Sequence, residues 1–446
     1  MKPGITHVGR AVAIAALLSF CGRPAHADVV LDWNAIAVRT MTTQTTPVNP
    51  FAQARLAAIV QLAVFEAVNA ITGDYESYLG SAVAPTRGPL LGPLGASTEA
   101  AAVTAAHAVL VAFFPGSATA LDAERDASLN AIPNGTAKTN GISTGLAAAA
   151  AVIAERNGDG STPLTVSLPP ARRDAGTWEM IPGCPTDPGG NYIGGLFANW
   201  GDIRPFGVVQ PAFGHWVDAF RPEPPPALGS HQYTKAYDEV KRVGAASSTE
   251  RPADRTIVAQ FYAVSSPTFI FHSVARQLAV ARGDSLTANA RSLALLSIAA
   301  NDSLIASFWT KYYYYFWRPY SAIRGSIDDG NPDTVADPGF TPLILTPCFP
   351  SYPSNHASGS TAAAETLRRL YGAAGHKVTL SNTVPGVGAV TFSYTSLKQI
   401  VDDIDDARIY GGIHFRFDQE AGGTLGREVA TAIYKNNLRP IHATAR

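Results

Sequence analysis

Charge is scarce in this sequence: only 15% of its 446 residues are charged, and 34 Lys and Arg nearly balance 35 Asp and Glu. Without a basic excess, nucleic acid is excluded as an expected partner. Beyond residue 27 no apolar run offers the uninterrupted length of a membrane helix. The stretch from Leu293 to Phe308 comes nearest, and Asn301 and Asp302 interrupt it. No strand-like alternation of any length and no internal repeat is visible. What is present in quantity is apolar residues, 46% of the chain, many of them Ala. That composition is globular and favours helix. The length suffices for one large or two average domains with a real core.

The N-terminus carries Lys2 and Arg10, an apolar run from Ala11 to Phe20, and the small-x-small site Ala25-His26-Ala27. This pattern predicts a secretory signal peptide over residues 1–27, cleaved after Ala27, and a secreted or periplasmic mature protein. Cleavage would remove Lys2, Arg10 and Arg23 but no acid, taking the net charge to about −4. Two of the three cysteines remain, Cys184 and Cys348, both beside prolines in loop-like sequence. Export permits a bridge between them, but spacing alone does not say whether they meet.

The predicted fold class is all-α, with two four-helix-bundle-like halves and long irregular loops. Residues 28–157 read as an N-terminal helical scaffold, with helices near Ala54–Ala70, Ser97–Phe114 and Gly141–Arg156. Residues 158–228 are rich in Pro and Gly and too long for a mere connector. They are expected to pack over the helices or shape the mouth of a pocket. Residues 229–446 read as the catalytic half. Its helices are expected near Tyr233–Val243, Ala253–Val264, Ser285–Trp317, His356–Tyr371, Ser393–Ile409 and Phe417–Tyr434.

Three clusters in that half carry chemistry. Lys311 and Arg318 stand seven apart, two helical turns, so both cations would point the same way. Pro350-Ser-Tyr-Pro-Ser354-Asn355-His356 precedes an Ala-rich stretch and reads as a helix N-terminus, a ready anion site with free N–H groups and a Ser hydroxyl. His414 and Asp418 are four apart, so on a helix the carboxylate would fix the imidazole tautomer and leave the other nitrogen as a Lewis base. Arg408 supplies a third cation, and Gly411-Gly412 lets the chain turn. Each cluster alone has a plain reading: a solvated basic face, an N-cap, a structural His–Asp pair. Together they provide donors on every side of a tetrahedral oxyanion.

The spacings Lys311…Arg318-Pro319, Pro353-Ser354-Asn355-His356 and Arg408…His414…Asp418 resemble the signature shared by vanadium haloperoxidases and the acid-phosphatase/phosphatidate-phosphatase superfamily. Asn355 stands where the signature usually has Gly. The runs Lys311–Arg324, Arg408–Asp418 and Phe349–His356 resemble the vanadium chloroperoxidases in particular, which tend to carry Phe at the Phe349 position. The resemblance implies a vanadate cofactor, with the metal on a ring nitrogen of His414 and Asp418 holding the other nitrogen. It implies that Lys311, Arg318, Arg408, Ser354 and the Asn355 N–H bind the oxygens. His356 would handle a proton, Lys311 would polarise peroxide, and Phe349 would border the halide pocket. The implied reaction is oxidation of halide by hydrogen peroxide to hypohalous acid, with a small organic acceptor. The alternative on the same residues is a secreted acid phosphatase with a phosphohistidine at His414 and His356 as the acid.

Overall fold

A computed structural model describes residues 28–46, 48–85, 88–171 and 173–441; the predicted signal peptide lies outside them. The chain is mostly helical, as its composition leads one to expect. The N-terminal helices are α1 (Val29–Thr42), α2 (Pro50–Thr72), α3 (Thr98–Phe113), α4 (Ala118–Asn130) and α5 (Thr136–Glu155). After the irregular segment come α6 (His231–Val243), α7 (Ala253–Ala263), α8 (Pro267–Arg282), α9 (Leu286–Tyr314) and α10 (Pro319–Arg324). The last three are α11 (Asn355–Tyr371), α12 (Leu397–Tyr410) and α13 (Arg416–Asn436). Local sequence sets many of the boundaries. Asn49 caps α2 ahead of Pro50, and Gly73 ends it in the left-handed conformation. Ser285 caps α9.

Helices α2, α3 and α5 pack on one another, and α9 runs between α2 on one side and α11 and α13 on the other. The largest core cluster is continuous from Val30 to Leu438. Helix α9 is buried from Asn289 to Lys311 with few breaks, because it is shared by both helical groups. Both α2 and α9 are long and apolar enough to cross a membrane, but their most apolar windows are 83% and 94% buried within the protein. They are core helices by packing. The irregular segment contains a two-residue ladder, β1 (Val166–Ser167) with β2 (Gly195–Leu196), and short 3-10 turns. It places Phe197 and Trp200 against the core.

Three sequence expectations need correction. A strand pair is present: β3 (Ala374–Val384) and β4 (Gly388–Ser396) form an antiparallel hairpin with Leu380 opposite Phe392. Val378, Leu380, Val384 and Tyr394 supply its buried face, a period-two pattern visible in the sequence. Tyr394 fixes the hairpin to its surroundings, pairing with the Tyr262 hydroxyl at 2.7 Å and donating to Asp403 at 2.8 Å. Residues Ser393–Ser396, expected to open a helix, are instead strand. The helix begins at Leu397, where Ser396 and Gln399 form a capping box. Third, α9 stops at Tyr314 rather than running to Trp317, because Tyr315 turns left-handed (φ 48°).

Cys184 and Cys348 are bridged, with Cα atoms 5.1 Å apart at a sequence separation of 164. The bridge pins the irregular segment to the loop that leads into residues 349–354. Packing between α11 and α13, which follow that loop, is tight. A Cβ on Gly426 of α13 would lie 2.2 Å from the carbonyl oxygen of Ser358 on α11, and one on Gly422 would lie 2.5 Å from that of Ser354. Gly426→Ala is therefore expected to cost about 1–3 kcal/mol through overpacking, read as a lowered denaturation midpoint. An unchanged midpoint would mean the two helices can separate freely.

Candidate active site

Lys311 lies in the last turn of α9 and is fully buried. Its ammonium donates to three backbone carbonyls: Pro350 at 2.8 Å, Ser351 at 2.7 Å and Pro353 at 2.6 Å. Arg318 is not on that helix. It follows the left-handed turn at Tyr315, adopts an extended backbone, and serves as the N-cap position of α10. The two cations thus converge because the helix breaks between them, not because they share a helix face. Arg318 is also fully buried. Its Nε donates to the Phe349 carbonyl, and its Nη1 donates to the Ile413 carbonyl, both at 2.9 Å. Nη1 also reaches His414 Nε2 at 3.0 Å, while Nη2 has no hydrogen-bond partner among the described residues.

His414 sits in the turn between α12 and α13. Gly412 makes that turn possible: its φ is 78°, and a Cβ there would lie 2.3 Å from the Gly244 carbonyl oxygen. Asp418 is on the first turn of α13 while His414 precedes it, so the pair meets by helix capping rather than on one helix face. Asp418 Oδ2 lies 2.8 Å from His414 Nδ1 and accepts from the Phe415 N–H at 3.1 Å. The Ser351 hydroxyl donates to the same oxygen and lies 3.3 Å from Nδ1. Ser351 was not singled out in the sequence. Its signal was only its position in the Pro350–His356 run.

These contacts decide the protonation of His414. Burial, then Arg318, Lys311 and Arg408, push its pKa well down. The neutral ring keeps its proton on Nδ1, facing the carboxylate, and Nε2 presents a lone pair to Arg318. Burial pushes the Asp418 carboxyl up to about 6, against the Ser351 hydrogen bond and Lys311. Burial and Arg318 lower the Lys311 ammonium, but three carbonyl acceptors require three N–H donors, so it stays charged. Arg408, in the last turn of α12, is 4% exposed; burial lowers it to about 9, and its Nε has no partner. None of the three cations forms an ion pair with a described carboxylate.

The remaining predicted residues divide into two groups. His356, Asn355, Phe349 and Arg408 line a cavity of about 380 Å³ together with His414. The pKa of His356 is pushed well down by burial, Arg408 and Lys311. Asn355 opens α11, and its side-chain oxygen accepts from Ser307 at 2.7 Å. That bond turns the side chain toward α9. The Phe349 ring lies between the two cations, 5.4 Å from Lys311 Nζ and 5.0 Å from Arg318 Cζ. Ser354 is fully buried and does not line the cavity. Its Oγ caps α11 by accepting from the Ala357 N–H, and its own N–H donates to the Asp418 carbonyl.

Buried cations without carboxylate partners are costly unless an anion joins them. The arrangement is therefore a cage for an oxyanion, with an imidazole lone pair aimed into it. Asp418→Ala would free the His414 ring to change tautomer. It is expected to weaken binding of inorganic phosphate, a tetrahedral oxyanion, by about 10–100-fold in calorimetry. Unchanged affinity would show that the carboxylate does not orient the ring.

Residues 291–443 match the family model of the second helical-bundle domain of vanadium chloroperoxidase. A vanadium chloroperoxidase from Curvularia inaequalis is 28% identical over 37% of this chain and 32% of its own length; the match thus spans about a third of that relative. Two bacterial crystal structures share the architecture. A vanadium-dependent iodoperoxidase aligns with a TM-score of 0.71 and 24% identity over 93% of this chain and 97% of its own. A holo vanadium-dependent chloroperoxidase aligns with a TM-score of 0.67 and 15% identity over 90% and 97%. Residues 291–443 are thus similar to the second helical-bundle domain of vanadium chloroperoxidase, within a chain whose fold is that of the two bacterial vanadium-dependent haloperoxidase structures.

Proposed function

We propose that this chain is a vanadium-dependent haloperoxidase that oxidises halide with hydrogen peroxide to hypohalous acid. The observation that carries the reading is the His414 Nε2 lone pair, its tautomer fixed by Asp418, set among three buried cations without carboxylate partners. Vanadate suits this donor set. The unpartnered Arg318 Nη2 and Arg408 Nε would be donors for its oxygens, and a neutral imidazole nitrogen is a metal ligand. Bound there, vanadate would supply Lewis-acid activation of peroxide without changing oxidation state.

His414 would hold the metal, and Asp418 and Ser351 would keep its ring in place. Arg318 and Arg408 would neutralise the oxygens, assisted by the backbone N–H of Asn355 at the start of α11, whereas the Ser354 N–H is committed to the Asp418 carbonyl. His356 faces the cavity and is held neutral by burial and by its cationic neighbours. It can therefore take a proton from peroxide and return it to the leaving oxygen. Lys311 has all three donors committed to carbonyls. It would act on peroxide through its field, and a direct bond would require exchange of one of those carbonyls. The Cys184–Cys348 bridge supports an oxidising compartment, and so export through residues 1–27.

Halogenation of a monochlorodimedone-type probe with peroxide and chloride, bromide or iodide is expected to require added vanadate. His356→Ala should lower the rate by about 10²–10⁴-fold. The order of halides tests whether Phe349 marks chloride use. No halogenation with any halide, together with phosphate-ester hydrolysis that vanadate inhibits, would move the same residues to phosphohistidine chemistry. Mass spectrometry of the mature protein is expected to place its N-terminus at Asp28, the residue that caps α1; an intact leader would refute cleavage after Ala27.

A further inference from the structure

Helices α11, α12 and α13 enclose a polar groove of about 630 Å³ that none of the cage residues lines. Its two ends differ in burial and in charge. At the inner end Gln419, on α13, is 2% exposed, and neither its amide oxygen nor its amide nitrogen has a hydrogen-bond partner among the described residues. On α12, Oδ1 of Asp405 is likewise buried without a partner. Polar atoms left so are costly, and two such groups in one groove suit an occupant that bonds to both. Glu420, beside Gln419, adds a second acid at this end.

Burial pushes the Asp405 carboxyl up to about 8 against Arg416, and Asp402 and Asp406 add to the rise. A cation bound at this point would restore its charge. The donors are too few for a metal: among the described residues no three His, Cys, Asp or Glu side chains gather in a way that could hold one. An organic ammonium needs only acceptors, and the inner end supplies them. The outer end is cationic. Lys398, Arg368 and Arg427 line it and are all exposed. Lys398 is paired with Asp402 and Arg368 with Glu365, both at 2.7 Å, whereas Arg427 forms no ion pair with a described residue.

We propose that this groove binds a linear ω-amino carboxylate, with its ammonium at Asp405 and Gln419 and its carboxylate at Arg427. Asp405 and the Gln419 amide oxygen would accept from the ammonium, and the Arg427 guanidinium would donate to the carboxylate. Gln419 and Arg427 lie on one helix at a spacing of eight residues, roughly 12 Å along its axis. With a hydrogen bond of about 2.8 Å at each end, about four methylene groups fit between the two charges. Such an occupant would bridge α12 and α13, the helices that carry Arg408 and Asp418, without entering the oxyanion cage.

Calorimetric titration of the purified full protein with 5-aminopentanoate tests the assignment, with pentylamine and pentanoate as probes that lack one charge. 5-Aminopentanoate is expected to bind saturably, and each of the other two about tenfold more weakly or less. Asp405→Asn keeps the shape of the side chain and removes its charge; it should weaken 5-aminopentanoate about tenfold. Arg427→Ala, at an exposed position, should weaken it several-fold and keeps the test open should Asp405→Asn fail to fold. Saturating inorganic phosphate, which the cage would take up, should not displace the probe. No saturable binding, equal affinity for all three probes, the same affinity in wild type and Arg427→Ala, or displacement by phosphate would each overturn the proposal. The measurement involves neither peroxide nor halide, so it stands or falls apart from the haloperoxidase reading.

Discussion

Two cations, Lys311 and Arg318, lie fully inside the protein with no carboxylate bonded to either. A buried charge must be solvated by something, and here backbone carbonyls take that role. Those of Phe349, Pro350, Ser351, Pro353 and Ile413 all point inward at the two side chains. The path of the chain from 349 to 353, and of the turn before α13, is set by this requirement. Once these segments are fixed, Ser351 faces Asp418, Ser354 caps α11, and His414 faces Arg318. The site is thus an electrostatic arrangement first and a loop conformation second.

The rest of the fold supports that arrangement by holding its pieces together. Helix α9 brings Lys311 in from the centre of the core, and the left-handed Tyr315 redirects the chain so that Arg318 arrives from another direction. The glycines of α13 allow it to approach α11 closely enough for Asp418 to reach both His414 and the Ser354 N–H. The disulfide joins Cys348, one residue before Phe349, to a segment that also supplies Phe197. The surplus of positive charge is not neutralised by the protein. With burial, it depresses both histidines and keeps their rings neutral, and the same field favours a bound oxyanion.

The helical class and most helix positions were legible because Ala-rich apolar periodicity and Ser, Asn and Pro caps are local signals. The hairpin at 374–396 was also written locally, in the alternation of Val378, Leu380 and Val384, but polar Asn382 interrupts that alternation and helical sequence flanks it. Against the expectation from sequence, α2 is long and apolar enough to span a membrane; its neighbours in the fold show it to be a core helix. The disulfide was permitted by the sequence but not established by it, since its ends lie at a sequence separation of 164 and only the fold brings them together.

For the site, sequence determined the inventory: three cations, two histidines and one orienting carboxylate at spacings that suit an oxyanion. Sequence spacing did not determine how they meet. Lys311 and Arg318 come together across a helix break, and His414 and Asp418 across a cap, although both pairs have helical spacing. Periodicity describes directions only while the backbone stays regular. Where it breaks, direction is set by which buried groups must be hydrogen-bonded, a matter of contacts between residues distant in sequence. Ser351 became visible, and Lys311 lost its free donors, for that same reason: the carbonyls and carboxylate they meet are brought to them only by the folded chain.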